Sequence, residues 1–133
     1  MTRLFGYASA AALATALLMR PSAIPTIDLY LHDTFFVVAH LHPTVLLLLA
    51  GCFAVGAIAY ASLRRVGRGV RQGLVVAHFA LLSACFASIL TILVSSDGVV
   101  VVVATLVAPV SLLLACLLFF VNIGTALLRR RTA

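Results

Sequence analysis

The sequence predicts an all-α integral membrane protein of four helices, on three observations. Hydrophobic residues fill 65% of the 133 positions and charged residues only 9%, whereas soluble domains carry about 25% charge. The apolar residues gather into four runs, separated by short stretches that are polar or rich in Arg and Pro. The net charge of +6 rests on arginine alone, with no lysine, and the arginines stand at the ends of the runs, where they anchor to lipid headgroups. That placement makes a lipid bilayer the partner and argues against nucleic acid.

The first helix is expected over 4–19, an Ala- and Leu-rich run behind Arg3. A secretory signal would look similar, but Arg20-Pro21 is a poor cleavage context. Pro21 and Pro25, with Ser22 and Thr26, mark a loop. The second helix is expected over 34–62, its first amides capped by Asp33 or Thr34. Pro43 would then lie inside it, freeing the Ala39 carbonyl and kinking the helix. Arg64, Arg65, Arg68 and Arg71, with Gly67 and Gly69, form a basic loop. The third helix is expected over 72–94. Ser95-Ser96-Asp97-Gly98 makes a polar turn, and the fourth helix, over 99–128, is expected to kink near Pro109 before Arg129-Arg130-Arg131.

Four spans put Arg3, the basic loop and the C-terminal arginines on one side, with Arg20 alone opposite. The positive-inside rule makes the arginine-rich side cytoplasmic, and both termini with it. Asp28, Asp33 and Asp97 then lie outside. Cys52, Cys85 and Cys116 each fall inside an apolar run and read as small packing residues. No Cys-x-x-Cys-His occurs, so covalent c-type heme attachment is excluded.

Three of the four histidines lie within Leu31-His32-Asp33-Thr34-Phe35-Phe36-Val37-Val38-Ala39-His40-Leu41-His42. Polar groups left unpaired in hydrocarbon are costly, so an intramembrane His-x-His pair is a site hypothesis by default. On a helix, residues two apart point about 200° away from each other. His40 and His42 would therefore face opposite sides and serve two cofactors rather than share one ion. Phe35, Phe36 and Phe53 could line a flat apolar macrocycle such as heme. Zinc or copper alone lacks further ligands to complete a shell.

His-Asp-Thr-Phe-Phe-Val-Val-Ala-His-Leu-His closely resembles the signature of the tenth helix of cytochrome c oxidase subunit I, in the heme-copper oxidase superfamily. Weaker likeness runs from Leu4 to about Ile89, and the last helix matches in hydropathy. The resemblance implies a fold like one four-helix arc of that subunit. It implies His40 as ligand to a high-spin heme and His42 as ligand to a low-spin heme, with His32 and Asp33 beside a magnesium site. That family completes the magnesium site with another subunit, so no magnesium is expected in this chain alone. The family's copper-ligating histidines, cross-linked tyrosine and proton-channel residues belong to helices this chain lacks. Oxygen reduction by this chain alone is therefore not expected.

The resulting expectation is a bis-His heme protein, of type b before type a, moving electrons in a bacterial inner membrane with a redox partner or respiratory complex. The alternative is an accessory or assembly subunit of an oxidase that binds no cofactor. A homotrimer, before a dimer, would rebuild a ring of twelve helices, with His40 of one protomer meeting His42 of the next. His78 is expected about 10 Å or more from His40 along the membrane normal, too far for one iron. It reads as a packing histidine bonded to a carbonyl of a neighbouring helix. The echo of Val37-Val38-Ala39-His40-Leu41 in Val75-Val76-Ala77-His78-Phe79 rests on residues common in any membrane helix.

Overall fold

The computed structural model describes residues 1–19, 26–31, 34–40, 43–67, 69–95 and 97–128, with 26–31 and 34–40 described by their backbone alone. The residues with side chains hold four helices and no strand: α1 (Thr2–Leu18), α2 (Pro43–Arg65), α3 (Gln72–Val94) and α4 (Gly98–Leu128). The last three are long and apolar enough to cross a membrane, and the chain is a helical membrane protein. With 17 residues, α1 is about 25 Å long. Between α1 and α2 the backbones of β1 (Thr26–Leu31) and β2 (Thr34–His40) pair antiparallel, from Leu31 opposite Thr34 to Thr26 opposite His40.

This corrects the expected second helix at its start. α2 begins at Pro43 rather than at 34. Proline suits the first helical position, because its missing N–H would have no partner there and its φ is already helical. No kink therefore follows from it. The far end of α2 stops where Gly67 adopts φ 71°, its N–H donating to the Arg64 carbonyl at 3.0 Å. Glycine takes this left-handed conformation without the clash a Cβ would make.

The starts of α3 and α4 are satisfied differently. Asp97 caps α4 from its own chain position: its carboxylate accepts from Val99 N–H at 2.9 Å and Val100 N–H at 3.3 Å. Arg71 precedes α3 without a capping side chain. Its N–H instead donates to Oδ1 of Asn122, a turn and a half before the end of α4, at 3.2 Å. Within α4 the helix continues through Pro109.

The helices form two antiparallel hairpins, α1 with α2 and α3 with α4. Each seam follows a 3–4 alternation: Leu46, Leu49, Phe53, Gly56 and Tyr60 on α2, and Val75, His78, Leu82, Cys85, Ile89 and Ile92 on α3. α4 answers α3 with Ala104, Ala108, Ser111 and Ala115. Small side chains let the backbones approach closely, which matters in lipid, where packing rather than water exclusion drives association. Ser9 of α1 donates to the Ala50 carbonyl at 2.9 Å.

Phe5 joins the two hairpins. It is fully buried, with its ring centroid 5.0 Å from Phe79, 5.3 Å from His78, 5.7 Å from Tyr60 and 6.2 Å from Phe53. Gly56 makes room for it, since a Cβ there would stand 2.9 Å from the Phe5 ring.

Candidate functional site

Three polar side chains of the helical interior, Tyr60, His78 and Asn122, gather near this joint. His78 is 3% exposed and Asn122 wholly buried. The Tyr60 hydroxyl is 2.9 Å from His78 Nδ1. The Asn122 carboxamide lies near that hydroxyl. The same carboxamide accepts from Arg71 N–H and sends its NH2 toward the Arg71 carbonyl at 3.4 Å. A chain of polar groups thus runs from the backbone at the start of α3, past Asn122 and Tyr60, to His78, with hydrogen bonds at its two ends. Each link answers a demand: an uncapped helix start, an amide, a phenol and an imidazole satisfy one another out of reach of water.

The chain ends at a cavity of about 480 Å³ between α2 and α4. Gly51, Cys52 and Val55 of α2, His78 of α3, and Cys116 and Phe119 of α4 line it. Its walls are apolar apart from the imidazole and the weakly polar thiols. Among the described residues, no three His, Cys, Asp or Glu side chains converge as a metal site.

The predicted site residues lie elsewhere. His32, Asp33 and His42 fall outside the described residues. Phe35, Phe36 and His40 belong to β2, and only their backbone is described. His40 closes β2, so the opposed facing expected of His40 and His42 on a helix does not hold at His40. Phe53 is fully buried on α2 and packs edge-on against Phe5 and Phe79. His78 is a buried packing residue, but its partner is the Tyr60 hydroxyl rather than a backbone carbonyl. Of the echo between 37–41 and 75–79, residues 37–40 lie in β2 and 75–79 in α3, so these stretches share no local structure.

Tyr60 and Asn122 were missed by the sequence reading. The available signal was that each is a polar side chain inside an apolar run, which demands a partner there. No family model, curated protein or solved structure matches the chain. The chain is therefore characterised by its own geometry: a helical membrane protein in which a buried polar chain ends at an apolar cavity.

Proposed function

We propose that the protein is a membrane-embedded heme-binding redox protein related to heme-copper oxidase subunit I, holding heme b through His40 and His42. The observation that carries this reading is the eleven-residue run from His32 to His42, whose two closing histidines stand three residues and one residue before the start of α2 at Pro43. Histidines at the end of an apolar helix lie near the membrane boundary, where a heme can keep its ring in hydrocarbon and its propionates in the headgroup region. His32 and Asp33 would meet those propionates. On this reading both termini and the basic loop are cytoplasmic in a bacterial inner membrane, α1 completes a fourth span, and the assembly is a homotrimer. A size measurement in detergent giving one chain per particle would remove the trimer.

The test is an absorption spectrum of detergent-purified protein, oxidised and dithionite-reduced, with a pyridine hemochrome assay. Sharp reduced α and β bands are expected, lost in both His40→Ala and His42→Ala. Protein that stays colourless after hemin is added would overturn the reading.

A second reading draws on α4. Leu106, Val110, Leu113 and Leu117 form an exposed stripe along one face, which suits a subunit that packs against a larger oxidase and holds no cofactor.

A further inference from the structure

We propose that the cavity between α2 and α4 binds a lipid-soluble quinone, with His78 Nε2–H donating a hydrogen bond to a ring carbonyl. This site is separate from the heme reading and does not depend on it.

The tautomer follows from the polar chain. Asn122 Oδ1 accepts from the Arg71 N–H and the NH2 of the same carboxamide faces the Arg71 carbonyl, so the Tyr60 hydroxyl is left to His78. A phenol O–H is far more acidic than a neutral imidazole N–H, so Tyr60 donates to His78 Nδ1. With Nδ1 as acceptor, the ring proton resides on Nε2. No buried side-chain N or O among the described residues lacks a partner, and none of the described hydrogen bonds uses Nε2. Nε2 therefore keeps accessible surface, and the space His78 borders is the cavity.

A donor facing an apolar chamber calls for an acceptor from outside the protein. Water is a poor occupant, because an ordered water needs two to four polar partners and the chamber offers the imidazole and two thiols. The transmembrane helix of a second copy would fill the space with apolar side chains while its carbonyls stay in helical hydrogen bonds. A diacyl lipid holds its ester carbonyls at the headgroup boundary, whereas His78 lies about 9 Å along α3 from its start. A quinone ring combines flat apolar bulk with a carbonyl that tolerates this depth. A volume of about 480 Å³ falls within the range of about 300–1,000 Å³ usual for small-molecule sites.

The mouth of the cavity supports the same occupant. Leu48 and Phe120 border it and are 61% and 69% exposed, so it opens sideways toward the bilayer, the route by which an isoprenoid-tailed molecule enters. Phe119, 5.3 Å from the His78 ring, offers an aromatic wall.

The experiment is equilibrium binding of decylubiquinone to the full chain in nanodiscs, with dodecylbenzene as a carbonyl-free competitor and methyl palmitate as an acyl-ester competitor. His78→Phe removes the donor and keeps an aromatic ring. Gly51→Phe fills the chamber from a position where an added Cβ meets nothing within 4 Å, and its helical circular dichroism verifies that it folds. Expected are saturable binding to the parent chain, about tenfold weaker binding in His78→Phe, and loss of binding in folded Gly51→Phe. Both competitors should displace the quinone only weakly. The proposal is overturned by the absence of saturable binding, by unchanged affinity in His78→Phe, or by methyl palmitate competing as well as the quinone itself. A shift in particle size in Gly51→Phe without quinone binding to the parent would assign the groove to a second copy instead. None of these outcomes bears on the heme spectrum, which is read from His40 and His42.

Discussion

Two regions of this chain carry histidine, and they present it in opposite ways. The connection from 20 to 42 holds three histidines in a run of specific sequence, next to prolines and acids. The helical frame holds a single histidine in a run where almost any apolar sequence would serve. Yet His78 of the frame has its surroundings defined, with a phenol on one nitrogen, three aromatic rings around it and a cavity beside it. The connection carries its information as residue identity, whereas the frame carries it as position, through the seam spacing that brings Gly56, Tyr60, His78 and Asn122 close together.

The largest effect is expected at the joint between the hairpins. Phe5→Ala removes the ring that touches Phe53, Tyr60, His78 and Phe79. A loss of about 2–3 kcal/mol is expected, below the usual ~3–5 for a buried phenylalanine in water, because lipid tails receive the separated apolar faces without penalty. Denaturant titration in mixed micelles would measure it, and the heme spectrum of the folded fraction should stay unchanged. Loss of heme in Phe5→Ala at full helicity would show that the two regions are one site.

Tyr60→Phe comes next. It leaves the ring contacts with Phe5 and Phe119 in place and deletes the partner of His78 Nδ1. The expected cost is about 1 kcal/mol. Nitrogen NMR of histidine-labelled protein should report a redistribution between the two ring tautomers. An unchanged His78 tautomer would mean that Tyr60 does not set the donor direction.

How much of this was legible in the sequence differs along the same division. The membrane class and the four helices followed from hydropathy, because apolar runs of this length have few other uses. The polar turn before α4 was legible because Asp97 caps the amides that follow it in sequence. The capping of α3 was not, because its acceptor, Asn122, is brought there only by the pairing of α3 with α4. Gly56 reads in sequence as one more small residue of a membrane helix, and its role appears only when Phe5 arrives from α1. Tyr60 and Asn122 could have been flagged as polar residues needing partners, though not paired, since local periodicity carries no information about which helix lies across the seam.

Asp97→Ala is expected to cost about 0.5–1 kcal/mol, the ordinary value of a lost N-cap, since Val99 and Val100 N–H lose their acceptor. Hydrogen exchange should quicken over the first turn of α4 and leave the His78 level unaffected. Faster exchange reaching Asn122 would show that the frame unfolds as one unit from that end.

The smallest effect expected is at the boundary between the two regions. Pro43 stands at the first position of α2, where proline meets no steric objection and lacks no hydrogen bond it would otherwise make. Pro43→Ala should therefore change stability by less than about 0.5 kcal/mol and leave helical circular dichroism unchanged. Had the helix begun at 34, Pro43 would lie in its interior at a cost of about 3 kcal/mol. Replacing it would then stabilise the protein by a comparable amount and slow hydrogen exchange across 34–42. That outcome would return His40 and His42 to opposite faces of one helix, and would extend the frame's positional logic to the histidine run as well.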